Sequence, residues 1–165
     1  DRIGPLGRLG VFSLRALDAE FVGDVAAPWP TLVRRLAADG HVQANAVADA
    51  ALLWAFGTLI GNTDMHAGNL SFISRLGRPY QLAPAYDMLP MAFAPSRSGA
   101  LVDTLPPAVM SSSVDAGAWH EALQWAEKFH ALLSDCRGFS GRFLPCIGAI
   151  RRHIDEAGAR IGRLG

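Results

Sequence analysis

From Ala44 to Ile60 the chain is apolar on nearly every side: Val47, Ala51, Trp54, Ala55 and Phe56 recur at helical spacing, and Leu59-Ile60 close the run. The pattern predicts a buried helix that stops at Gly61. Ahead of it, Leu32, Val33 and Leu36 repeat at helical spacing between Pro28-Trp29-Pro30 and Gly40, which predicts a short helix N-capped by Thr31. The segment from Ile3 to Leu17 is punctuated by Gly4, Gly7 and Gly10, and its apolar run Val11-Phe12-Ser13-Leu14 reads as hairpin or extended structure paired with strands outside the chain.

Beyond the long helix, Asn69 to Ile73 and Tyr80 to Leu82 are short β-like runs on either side of Ser74-Arg75-Leu76-Gly77-Arg78-Pro79, a hairpin with Gly77 at its turn. Residues 95–113 are rich in Pro, Ser and Gly and predict an irregular connection. Two helices follow. One spans about Asp115 to Ser134, with Trp119, Leu123, Ala126 and Leu133 on one stripe and Trp125 also assigned to the core; the other runs from near Ser140 to Ile161 and buries Phe143, Leu144, Ile147, Ile150 and Ile154. The expected fold is therefore mainly α with a small β-hairpin, an α+β domain over residues 1–165.

Composition narrows the function. The chain has 165 residues, half of them hydrophobic, which suffices for one core. Fifteen basic and fifteen acidic side chains cancel, so there is no basic field to hold nucleic acid phosphates. Lys128 is the only lysine. Cys136 and Cys146 form no C-x-x-C pair and no histidines stand at zinc spacing, so a reducing cytoplasm is the expected location. No apolar run reaches the ~20 residues that span a bilayer. The chain opens on Asp1 and runs into a Gly-rich stretch, the pattern expected of a piece of a longer protein in which residues 1–25 form a junction to a further lobe.

The chemistry is carried by three short polar side chains. Asp64 and Asn69 lie five residues apart on a loop between a buried helix and a strand, and Asp87 follows on a second loop after the hairpin. A carboxylate that orients and deprotonates a hydroxyl, with a carboxamide and a second carboxylate offering oxygen to Mg²⁺, is a set suited to phosphoryl transfer from ATP. Positioning and charge neutralisation dominate such reactions, so few side chains are required.

The string Asp64-Met65-His66-Ala67-Gly68-Asn69 resembles the D-x-H-x-x-N catalytic loop of small-molecule kinases. The longer stretch Ile60 to Asn69, read with Tyr80-Gln81-Leu82-Ala83-Pro84-Ala85-Tyr86-Asp87, resembles more closely the C-terminal domain of HipA-family toxin serine/threonine kinases, as do Arg8–Leu14 and Leu17–Phe21. The resemblance implies the C-terminal lobe of a protein-kinase-like fold. It makes Asp64 the catalytic base, and Asn69 and Asp87 the Mg²⁺ ligands at the ATP phosphates. Asp87 is followed by Met88-Leu89 rather than Phe-Gly, and the family's Tyr-Asp pattern is met instead. The family also implies a protein substrate, a toxin-antitoxin role and a DNA-binding antitoxin partner.

Around these three, His66 is read as an orienting residue that hydrogen-bonds the loop backbone beside the nucleotide site. Asn62 has two readings, contact with the nucleotide or loop and termination of the helix after Gly61. Tyr86 packs beside Asp87 and fixes its loop. A kinase also needs a Gly-rich phosphate loop and a strand-borne lysine. Neither is present, and Lys128, 41 residues beyond Asp87, reads as a solvated charge on a late helix. The chain alone is thus expected to be inactive. The rival reading is a binding module that keeps the loops without catalysis; a metal phosphoesterase, which would need further His-rich loops, ranks last.

Overall fold

The computed structural model of the chain describes residues 3–4, 7–100 and 102–164, and these are mainly helical with a small antiparallel sheet. The chain divides into two compact units, residues 1–51 with 65–87 and residues 52–64 with 88–165. No described helix is long and apolar enough to cross a membrane.

In the first unit, β1 (Ile3–Gly4) pairs with β2 (Gly7–Arg8), and β3 (Gly10–Ser13), β4 (Ser71–Ser74) and β5 (Gln81–Leu82) form a three-stranded antiparallel sheet in that order. Gly10 faces Ser74, Ser13 faces Ser71, and Phe72 faces Leu82. The expectation that the first apolar run pairs outside the chain is therefore corrected: Gly10–Ser13 pairs with the first strand of the predicted hairpin. That hairpin is present, with Gly77 at φ +104° in its turn.

Helix α1 (Leu14–Phe21) replaces the extended structure expected there. The Ser13 hydroxyl accepts the Ala16 N–H at 3.2 Å, an N-cap that switches the chain from strand to helix, and Leu14 and Leu17 become buried. Helix α2 (Trp29–Ala38) starts three residues earlier than predicted, because Pro30 is compatible with a first turn that needs no N–H partner; Pro28 is the cap and Thr31 lies inside the helix. Leu32, Val33 and Leu36 are fully buried, and Gly40 ends the element at φ +73°, as expected.

The apolar run is helix α3 (Ala46–Ile60), which passes from the first unit into the second. In the second unit α4 (Ala116–Asp135) packs on α5 (Leu144–Ile161). The Asp115 carboxylate caps α4 by accepting the Ala118 N–H at 2.8 Å. Trp119, Ala122 and Ala126 form the buried stripe of one helix, and Ile147, Ile150, Ile154 and Ile161 that of the other. Trp125 is 49 % exposed rather than core, since it stands about 100° round the helix from Ala126. Leu144 is also exposed, at the first turn of α5 where the buried stripe has not begun. The irregular stretch before α4 is pinned to its unit: Arg160 Nη1 donates to the Ala108 carbonyl at 2.7 Å.

α3 ends in a Schellman turn. The Gly61 N–H donates to Thr58 O at 3.3 Å and the Asn62 N–H to Gly57 O at 2.8 Å, with Gly61 at φ +78°. A Cβ on Gly61 would stand 2.8 Å from Leu105 Cδ2. Gly23 has nearly the same backbone conformation, φ +75°, with no atom within 4 Å of a Cβ. Each Gly→Ala change brings left-handed strain of about 1 kcal/mol, and Gly61→Ala must also displace Leu105, for a total of about 2 kcal/mol. Urea unfolding is expected to show the greater loss for Gly61→Ala at unchanged denaturant slope; equal losses would mean that Leu105 yields freely.

Candidate active site

The loop 62–69 leaves the Schellman turn in the second unit. Asn62 is 5 % exposed, and its Oδ1 accepts the Asp64 N–H at 2.9 Å, an Asx turn that aims the chain out of the helix. Its Nδ2 reaches Met88 Sδ at 3.9 Å. Of the two readings of Asn62, the helix-ending and loop-shaping contacts are made directly. Asp64 itself is half-buried, held by its backbone to a side chain that is in turn held by the helix end.

In the first unit the loop tightens into a turn in which the Asn69 N–H donates to His66 O at 3.0 Å. The same carbonyl accepts the indole N–H of Trp29, also at 3.0 Å, from a side chain that is 1 % exposed. His66 Nδ1 accepts the Gly68 N–H at 3.0 Å, which is the contact with the loop backbone expected of this residue. A Cβ on Gly68 would lie 2.9 Å from His66 Cε1 and 3.0 Å from Nδ1, so a larger residue there would push the imidazole off this bond. The turn also serves α1: Leu70 O accepts the Leu14 N–H at 2.7 Å and Ala67 O accepts the Arg15 N–H at 2.8 Å, so two donors that a helix N-terminus leaves without intrahelical partners are satisfied by the loop.

Tyr86 joins this turn to the Asp87 segment. Its hydroxyl donates to Gly68 O at 2.9 Å and lies 2.8 Å from Ser71 Oγ; with its one proton given to the carbonyl, it accepts from the serine. The next residue, Asp87, is exposed and adopts φ +56°, the one positive φ outside glycine among the described residues. Such a conformation is uncommon for a side-chain-bearing residue, and Asp tolerates it better than most.

His66, Asn69, Tyr86 and Asp87 thus stand on one hydrogen-bonded framework within the first unit, while Asn62 and Asp64 are fixed within the second. Sequence reading missed three contributors. Trp29 reads in the sequence only as part of a Pro-flanked break, although a buried Trp requires an acceptor for its N–H. Ser71 was hidden in a strand, and its bond to Tyr86 spans fifteen residues. Arg15 lies in the helix that was not expected, with Nη2 3.6 Å from the place of a Gly68 Cβ, so an exposed guanidinium borders the loop.

Asn69 and Asp87 present a carboxamide and a carboxylate, an all-oxygen set that fits Mg²⁺ better than zinc or a soft metal. Among the described residues no group of three or more His, Cys, Asp or Glu gathers to hold a metal. A cation on Asn69 and Asp87 would complete its shell with phosphate and water, as Mg²⁺ commonly does.

The chain is similar to known proteins over this region. The pattern of the HipA-like C-terminal domain matches residues 26–156, which take in both loops. Toxin YjjJ of Escherichia coli (strain K12) is 36 % identical over 159 residues, covering 96 % of this chain and 35 % of that protein. The chain spans about a third of the length of that relative. With the domain pattern matched over most of its length and this degree of identity, the chain belongs to the HipA-like C-terminal domain family.

Proposed function

We propose that this chain is the C-terminal lobe of a kinase-like fold in a HipA-type serine/threonine protein kinase, acting on a protein hydroxyl as the toxin of a cytoplasmic toxin-antitoxin pair. The observation that carries the reading is the Tyr86 tether, which ties the turn bearing Asn69 to the residue before Asp87 and so mounts the two oxygen ligands on one frame. The toxin role is supported by the relative's name, and a DNA-binding antitoxin as partner follows from the family resemblance alone.

In this reading Asp64 orients the acceptor hydroxyl and takes its proton as the new O–P bond forms and ADP departs. Asn69 and Asp87 would hold Mg²⁺, which when bound would neutralise charge on the nucleotide phosphates. His66 keeps the turn closed through Gly68, and Asn62 holds the backbone of the base. The exposed Arg15 adds a fixed positive charge next to the turn. Contacts to the nucleotide beyond these would come from parts of the protein outside this chain.

Two outcomes follow for the full-length protein. Asp64→Ala should remove phosphate transfer from Mg-ATP while the variant keeps its circular dichroism and melting temperature; transfer at the wild-type rate would exclude Asp64 as the base. Tyr86→Phe should cost about 1–2 kcal/mol of stability, because Gly68 O and Ser71 Oγ each lose a partner. It should also weaken Mg²⁺-dependent nucleotide binding measured by calorimetry, whereas unchanged binding would mean that the tether does not set the metal ligands.

A further inference from the structure

Helix α5 is lined on its buried side by Ile147, Ile150, Ile154 and Ala157, yet it places one polar residue, His153, among them at 6 % exposure. A histidine there must lose its hydration, and it retains a net benefit only through the hydrogen bond it makes. That bond is to Thr58 O at 3.1 Å, 95 residues away in sequence. A carbonyl only accepts, so Nε2 carries the proton.

The choice of acceptor is informative. Thr58 O belongs to the last turn of α3 and already receives the Gly61 N–H of the Schellman turn. The next link is Asn62, whose N–H is held by Gly57 O and whose Oδ1 holds the Asp64 N–H. Two or three hydrogen bonds therefore separate His153 from the backbone of the residue assigned as base, and all of them lie within the second unit. Leu105, which a Gly61 Cβ would strike, lines a cavity of about 130 Å³ together with His153, Thr104, Arg152 and Glu156.

We infer that His153 is a positioning residue for phosphoryl transfer: by donating Nε2–H to Thr58 O it holds the helix end from which Asn62 sets the backbone of Asp64. The inference rests on the kinase reading for its catalytic consequence and on geometry alone for its structural one. A histidine that merely filled the core would be replaceable by an apolar residue without effect on the folded enzyme's turnover.

The test uses the full-length protein with Mg-ATP and casein as a generic hydroxyl acceptor, comparing wild type, His153→Leu and His153→Gln. Leucine removes the donor; glutamine restores an N–H at a similar reach. Expected for His153→Leu are a kcat lower by about tenfold or more, consistent with a small displacement of a reacting group, and a KM for ATP within about twofold of wild type. Faster amide exchange should appear in peptides covering 57–64, with both effects recovered in His153→Gln. Unchanged exchange in a folded His153→Leu protein overturns the inference, and so does faster exchange with unchanged kcat. If wild type transfers no phosphate, the kinase reading fails by itself, and the exchange comparison still decides whether His153 holds the helix end. Should His153→Leu not fold, His153→Asn, whose shorter side chain withdraws the donor, takes its place under the same criteria.

Discussion

The loop from Asn62 to Asn69 has no regular secondary structure, and its partly buried backbone must still find hydrogen-bond partners. It finds them at helix ends, where partners are structurally free. Its first amide closes the C-terminus of α3, with Asn62 N–H on Gly57 O, and the carbonyls of Ala67 within it and of Leu70 just beyond it accept from the N-terminus of α1. A helix end leaves several carbonyls or amides without intrahelical partners, and an irregular segment leaves the complementary ones. The loop and the helices thus stabilise each other, and the same bonds that end the helices fix the directions from which Asp64 and Asn69 project.

Side chains complete what the helix ends begin. Trp29 reinforces the His66 carbonyl, His66 folds back on Gly68, and Tyr86 closes the turn against Ser71. These bonds connect residues that are near in space through fixed β and α elements, so the turn is rigid without being long. Asp87 pays for its place with an uncommon backbone conformation at φ +56°, and Tyr86 immediately before it supplies the restraint that holds a locally disfavoured geometry. The adjacent tether gives the Tyr-Asp pairing a physical reason, whatever chemistry Asp87 performs.

Much of this was legible in the sequence where a single local signal dominates. The apolar run that closes at Ile60 is helix α3, Gly61 ends it and Gly77 stands in the hairpin turn as expected, and the intervals from Asp64 to Asn69 and Asp87 singled out the loops. Reading failed where two signals compete or where the partner is distant. Glycines ahead of Val11 suggested extended structure through Leu17, but the Ser13 hydroxyl ends the strand and starts α1. Trp125 looked like core because Trp usually is, whereas the stripe defined by Trp119, Ala122 and Ala126 leaves it on the flank. The bonds of Trp29 to His66 and of His153 to Thr58 join residues 37 and 95 positions apart, and no local pattern encodes them.

The two ends of the loop are fixed by different means, and this bears on how the chain tolerates change. At the Asn62 end, geometry depends on backbone conformation, through a left-handed Gly61, and on a packed Leu105. At the Asn69 end it depends on two side-chain donors gripping carbonyls, Trp29 on His66 O and Tyr86 on Gly68 O, with Ser71 donating to the Tyr86 hydroxyl. Substitution of Gly61 therefore adds strain and crowding and acts first on stability. At the second end substitution removes hydrogen bonds while the backbone path stays allowed, so the turn can persist with Asn69 less tightly held.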